Sequence, residues 1–362
     1  MAVADMSTER EPRMSEVVDL PHPYLLFLGD TTEPGFAKTA FGLRDWAPDR
    51  CLGEWSCAGA TVTTGLPRLT PKEARARGAR SLLIGVANSG GFISESWMPS
   101  LIEALESGLD IVSGMHNKLN DTPQLKSAAD RRGRRLIDVR TPPRNIPIAS
   151  GRKRSGKRLL TVGTDCALGK KYTALALARE FARRGVDADF RATGQTGIMI
   201  SGRGIPMDAV VADFSAGAAE MLTPDAPERH WDVIEGQGSL FHPAYAGVSL
   251  GLLHGSQPDV IVVCHRPGRE YVLGNSGYAL PSIEETMELN LRLGSRTNAA
   301  IRCAGISLDT SQLDAGEAHR LLADQSARYR LPVADPIRGG AAFEALVDSC
   351  LANPQPQANT IG

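Results

Sequence analysis

No stretch of the chain is apolar for long enough to cross a bilayer, and its first residues do not read as a signal peptide, so the expected setting is the cytoplasm, away from any membrane. The six cysteines, at 51, 57, 166, 264, 303 and 350, include no Cys-x-x-Cys pair. That spacing excludes a zinc ribbon and a disulfide framework, and it fits a reducing compartment. A net charge of −1 leaves no electrostatic footprint for nucleic acid or an anionic surface. No internal repeat of solenoid period is visible.

What the chain does have is ordinary globular material, 362 residues with 42% hydrophobic and 22% charged side chains. That length predicts two domains or one large one. From Pro21 onward, strand-like and helix-like segments alternate, as in parallel α/β folds. Residues 21–140 read as a Rossmann-like parallel-sheet domain, with Thr70-Pro71 and Thr122-Pro123 each marking a helix start through an N-cap and a proline at the first helical position. The proline-rich and basic stretch 141–157 reads as a solvated linker. Residues 158–352 read as a second parallel-sheet domain of P-loop NTPase type, and 1–20 and 353–362 as disordered tails.

The second domain opens on its strongest signal. Leu159 to Val162 is a β-prone run, Gly163 to Gly169 a glycine-bounded turn, and Lys170 to Arg184 a helix-period segment. Strand, glycine loop, lysine and helix in that order make a phosphate cradle, because backbone N–H groups and the helix dipole converge on one spot. Lys170 adds a point charge there. The usual motif has four residues between its first glycine and the Gly-Lys pair, and a hydroxyl next for Mg²⁺. Here five intervene, Lys171 stands at the hydroxyl position, and Thr173 comes two residues later. The phosphate half of the motif is complete and the metal half is not.

Ligands of open α/β sheets lie beyond the carboxyl ends of the strands. That rule gathers the loops at 163–170, 193–197, 235–239 and 265–269, with 29–32, 88–91 and 116–121 in the first domain. Glu235, at a strand end among glycines, suits a general base, a metal ligand, or a paired turn residue. His242 reads as an acid or base, or as a hydrogen-bonded structural residue, whereas His254 and His265 read as structural. Asp165, inside the phosphate loop, reads equally as a substrate contact or a loop stabiliser. Arg266 and Arg269 are able to grip a carboxylate or phosphate.

Two resemblances rest on these residues. Gly163-Thr-Asp-x-x-x-Gly-Lys170 with a later Glu235-Gly-x-Gly238 resembles dethiobiotin synthetase and related ATP-dependent enzymes, which implies ATP on the loop and Mg²⁺ on Asp165 and Glu235. A resemblance over nearly the whole chain rests on the motifs at 163–170, 192–197, 235–245 and 251–256. Together they look like a bacterial family of two-domain P-loop proteins long catalogued as a domain of unknown function, with members assigned as D-glutamate N-acetyltransferases.

The second resemblance implies acetyl-CoA as co-substrate and no resident metal. Its coenzyme phosphates would lie on Gly163, Thr164, Cys166, Ala167, Gly169, Lys170, Lys171, Tyr172 and Thr173. Glu235 or His242, with Asp165, would be the catalytic residues, and N–H groups of Gly236 to Ser239 would hold the oxyanion. Asn88, Ser89, Asn117, Lys118, Gln195, Gln237 and Arg269 are the substrate-binding candidates. A homo-oligomer acting on a small molecule is the expected assembly. The alternatives are an ATP/Mg-dependent ligase or kinase, and a non-catalytic nucleotide-binding regulatory protein.

Overall fold

Long apolar runs such as Tyr24 to Phe27 and Leu82 to Ile84 have no polar alternation, which is the pattern of strands covered on both faces. In the computed structural model, which describes residues 18–86 and 91–352, both runs are strands and are buried throughout. The chain divides into two compact units, one reaching to Ile146 and including Ile198–Ala209, the other formed by Pro147–Gly197 and the chain from Val210.

The first unit holds β1 (Val18–Asp19), β2 (Tyr24–Phe27), β3 (Cys51–Trp55), β4 (Ser81–Ile84), β5 (Asp110–Ser113) and β6 (Leu136–Asp138), with helices α1 (Lys38–Trp46), α2 (Pro71–Ala76), α3 (Met98–Glu106) and α4 (Pro123–Arg132). Its sheet runs β3-β2-β4-β5-β6, parallel throughout. The chain leaves β2 in one direction and returns across it, as a Rossmann-like sheet does. Thr70 begins α2 with a complete capping box: its Oγ1 accepts from Glu73 N at 3.3 Å, and Glu73 Oε2 accepts from Thr70 N at 2.8 Å. Thr122 occupies the same position before α4, but its side chain makes no capping bond, so Pro123 is the start signal that holds there.

The second unit holds β7 (Lys157–Gly163), α5 (Lys170–Arg183), β8 (Ala188–Arg191), α6 (Gln195–Ser201), β9 (Arg203–Gly204), α7 (Ser215–Leu222), β10 (Trp231–Ile234), α8 (Ala246–Ser256), β11 (Val260–His265), β12 (Tyr271–Val272), β13 (Asn275–Ala279), α9 (Ile283–Gly294), β14 (Arg302–Leu308), α10 (Ala315–Tyr329), β15 (Val333–Ala334) and α11 (Gly340–Leu351), except that the division falls inside α6 and places β9 with the first unit. The sheet runs β15-β14-β11-β7-β10-β8, again parallel. β7 is central, and the chain passes it on one side before crossing to the other, which sets the ligand crevice at its carboxyl end.

Several expectations change. The tail expected over 1–20 ends in an ordered strand, because β1 pairs with β9 and Leu20 is buried. The basic run expected to be solvated is partly core: Arg154 donates to Thr223 O and Gly255 O at 2.7 Å each, and Arg158 to Ser155 O at 2.7 Å. Both guanidiniums are buried, and their fixed forks satisfy several carbonyls at once, which holds this segment against the second unit's core. Helices α6 and α8 and the β12–β13 hairpin were not foreseen. Among the described residues, no helix is long and apolar enough to cross a membrane.

Candidate active site

The phosphate loop begins where β7 ends. Thr164 N donates to Cys264 O at 3.2 Å, which ties the first loop residue to the neighbouring strand β11. Ala167 adopts a left-handed φ of 51°, and Gly169, at φ 90°, turns the chain into α5. A side chain at φ 90° is strained, so glycine is required at that turn. Gly169 has no side chain to cap the helix. The first backbone bond of the helix is Thr173 N to Gly169 O at 2.8 Å, so the N–H groups of Lys170 and Lys171 have no partner within the helix. An uncapped 14-residue helix behind a glycine turn is an anion site in form.

Its cations are desolvated. Lys170 is only 6% exposed and donates from Nζ to Asp165 O at 2.6 Å, and burial pushes its pKa down. Lys171 is lowered for the same reason, partly offset by the Glu235 carboxylate, and its Nζ lies 4.4 Å from the Tyr172 ring centroid. A bound phosphate would add counter-charge to two ammonium groups that burial leaves only partly compensated. Thr173 is removed from this face: it is buried, and its Oγ1 shares a 2.8 Å hydrogen bond with Ser307 Oγ in the core.

Asp165 answers the question its position raised. It is fully buried, and its carboxylate accepts from Cys166 N at 2.6 Å, Arg269 at 3.1 Å and Leu273 N at 2.8 Å. Arg269 also donates to Cys166 O at 2.8 Å and Ala167 O at 3.3 Å. These bonds fit the loop-stabilising role of the two. Arg269, expected on the substrate, has its donors engaged by the loop's own oxygens. Asp165, Cys166 and His242 bring ligand-type atoms within 4.8 Å of one another. The group does not fit Mg²⁺, which needs open oxygen ligands, because a guanidinium already neutralises the only carboxylate.

His242 is 3% exposed, and its Nδ1 accepts from Ala244 N at 3.1 Å. That bond fixes the neutral tautomer with the proton on Nε2. Nε2 lies 3.9 Å from Asp165 Oδ1, beyond hydrogen-bond length, and the ring packs on Tyr245 with centroids 4.4 Å apart. In this state His242 offers a donor, not a base. Cys166 does not stand in as a nucleophile either, since burial raises its thiol pKa.

Glu235 follows β10 and is buried. Thr193 N and Gly194 N both donate to its Oε2, at 3.0 and 3.1 Å. Burial raises its pKa, against the opposing pull of Lys171. Of the glycine-rich stretch after it, Gly236 N donates to Thr161 Oγ1 at 2.9 Å and is not free to hold an oxyanion as expected. Gln237 Nε2 donates to Thr193 Oγ1 at 3.0 Å, which braces the same turn, and Gln195 begins α6 just after it.

Asp165, Arg269, His242, Glu235 and Gln237 thus belong to the loops at the carboxyl edge of the second unit's sheet, with Lys170 and Lys171 at the start of α5 beside them. Asn117 and Lys118 are exposed on the loop after β5 of the first unit, and Asn88 and Ser89 lie outside the described residues. Sequence reasoning missed Thr161, Thr193 and Leu273 as partners of the site. The first two carry a weak signal, a hydroxyl on a buried strand or strand end. The third acts through a backbone N–H and carries none.

With this geometry in place, comparisons with known proteins agree in family. Residues 147–347 match the P-loop domain of a family described as a domain of unknown function, DUF1611, and residues 53–142 match its Rossmann-like N-terminal domain. A protein of Tritonibacter scottomollicae named D-glutamate N-acetyltransferase is 51% identical over 91% of this chain and 98% of its own length. One from a Pseudoalteromonas species with the same name is 48% identical over the same shares. The crystal structure of a DUF1611 family protein from Anabaena variabilis is 33% identical and superposes with a TM-score of 0.79, covering 91% of this chain and 99% of that one. Motif, sheet order and relatives converge: the chain belongs to the two-domain DUF1611 family, with a Rossmann-like first domain and a P-loop second domain.

Proposed function

We propose that the protein transfers the acetyl group of acetyl-CoA to the amino group of D-glutamate. The observation that carries this reading is a phosphate cradle built for charge without metal. Two lysines of the first helical turn are desolvated, the helix start has no side-chain cap, and the loop carboxylate is already neutralised by Arg269. Coenzyme A brings phosphates to such a site and needs no Mg²⁺ there. The two relatives named for this activity support the choice of substrates.

Transfer is direct. Glu235, held at Oε2 by two backbone N–H groups and raised in pKa by burial, takes a proton from the substrate ammonium. The freed amine attacks the thioester carbon, and the carbonyl π electrons move to its oxygen. The Nε2–H of His242 donates to that oxyanion. Collapse breaks the C–S bond, the coenzyme thiolate takes up the second proton that the nitrogen sheds as it becomes an amide, and Glu235 returns the first proton to solvent. A covalent acetyl-Cys166 route lacks a base, since the ring nitrogen turned toward the loop carries a proton.

The test is to incubate the protein with acetyl-CoA and D- or L-glutamate, in EDTA and without ATP, while following free thiol. Thiol release with D-glutamate is expected. Absence of release with either enantiomer, together with ATP turnover on an acid, would overturn the reading in favour of a ligase or kinase.

A further inference from the structure

The mechanism leaves one cavity of the second unit unused. It has a volume of about 280 Å³, and its lining includes His265, Pro267, Ile283, Leu308, Leu321 and Gln325. His265 is the last residue of β11 and Leu308 the last of β14, so the cavity opens at the carboxyl edge of the sheet. That is the edge from which the phosphate loop rises. β11 is the immediate neighbour of β7, with Cys264 opposite Gly163. One side chain joins the two places: the His265 ring lines the cavity and shares a 3.0 Å hydrogen bond through Nδ1 with Thr164 Oγ1 in the loop.

From this placement we infer that the cavity takes the purine ring of the adenosine 3′,5′-bisphosphate end of the coenzyme, while the adjoining loop holds its phosphates. The inference rests on the proposed use of acetyl-CoA. Size agrees, because pockets for whole ligands start at about 300 Å³. A slightly smaller cavity suits one ring system. Charge selects which part of the coenzyme enters. Glu284 lines the wall, and α9 begins there with Glu284 and Glu285 in its first turn and a capping box on Ser282. That helix end already has its side-chain cap, and Glu284 is paired with Arg328, so the wall is close to neutral and offers a phosphate no free N–H groups or unpaired cation, which favours an uncharged ring.

The remaining lining supplies what a purine needs. Pro267, Ile283, Leu308 and Leu321 offer apolar surface for its faces. Gln325 carries an acceptor and a donor on one amide, the pair that adenine's amino group and ring nitrogen complement. Arg328, paired with Glu284 at 2.7 Å, also lines the cavity, and a planar guanidinium is a group on which an aromatic ring stacks well.

The experiment fills the cavity with Leu321→Trp and, separately, removes the amide with Gln325→Ala. Binding of adenosine 3′,5′-bisphosphate is measured by calorimetry. Kinetics are compared for acetyl-CoA and for S-acetylpantetheine, which lacks the nucleotide. Leu321→Trp is expected to weaken bisphosphate binding and raise the acetyl-CoA KM at least tenfold, with variant and wild type alike on S-acetylpantetheine. Gln325→Ala is expected to do the same about fivefold. Unchanged bisphosphate binding in both variants overturns the inference, and so does an equal loss on the two donors, which would place the pantetheine arm or a folding defect there. Wild-type protein that binds the bisphosphate but moves no acetyl group from either donor would refute the transferase reading. Loss of that binding in Leu321→Trp would then still uphold the ring pocket.

Discussion

At the scale of single residues, the proposed mechanism divides the chemistry between two side chains. Burial raises the pKa of Glu235, so its deprotonated, basic form is lost as pH falls through a value above the ordinary carboxylate range. The acid limb of kcat/KM is expected there, and Glu235→Gln should abolish that limb and lower kcat/KM by about 10²–10⁴-fold, a usual range for a lost general base. A limb that survives in Glu235→Gln assigns the base elsewhere. For His242 the hydrogen bond from Ala244 N sets the expectation. A ring that donates from Nε2 contributes to kcat but not to that limb. His242→Ala should lower kcat about 10²-fold or more, as loss of an oxyanion donor does, with the acid limb unmoved. His242→Gln, which keeps an N–H donor, should recover part of the loss. If the limb disappears in His242→Ala, the ring is a base and its tautomer is the reverse of the one assigned.

At the scale of elements, the phosphate loop and the β12–β13 hairpin share one buried carboxylate. Asp165 binds Arg269 and Leu273 N, more than 100 positions downstream, so the segment 269–279 depends on a loop residue for its anchorage. Removing one partner of a buried pair costs about 3–5 kcal/mol, because the other charge is left uncompensated. Asp165→Asn keeps the side-chain shape and removes the charge. It should lower stability by about 3 kcal/mol at the low end of that range and speed amide exchange over 269–279 well ahead of the sheet. Uniform exchange across the second unit would instead mean that the carboxylate stabilises the whole core. These couplings also mark how far the sequence was legible. Local signals carried: the Thr70 N-cap with Pro71 behind it, the β7–loop–α5 order and the run Trp231 to Ile234 stand where residue pattern puts them. Signals that depend on distant partners did not. Helix α8 was hidden by its glycines, two of which answer to α7: a Cβ on Gly255 would lie 2.1 Å from Ala216 O, and one on Gly251 2.6 Å from Ser215 Cβ. The true partners of Asp165 and Arg269 were equally hidden, since nothing near 165 in the chain foretells residue 273.

At the scale of the molecule, the two-sheet architecture was readable from alternation alone, yet the segment 198–209, which belongs with the first unit, was not. No composition shift marks its ends. The same scale supplies the sharpest contrast between the transferase reading and a metal-nucleotide one. A ligand that binds only the native state stabilises by about 2.7 kcal/mol when present at 100 times its Kd. For a folding unit of this size each kcal/mol raises Tm by about 2–4 °C. Coenzyme A at that excess should therefore raise the melting temperature of the P-loop unit by about 5–11 °C. On the proposed reading the rise should persist in EDTA, because Lys170 and Lys171 would meet the phosphates and the loop carboxylate is already paired with Arg269. Differential scanning calorimetry with coenzyme A, and in parallel with MgATP, measures it directly. The larger shift belongs to coenzyme A if the cradle was built for phosphate without metal. A shift that appears only with MgATP, and vanishes in EDTA, would mean that an ion displaces Arg269 from Asp165 and that the loop is a metal-nucleotide site after all.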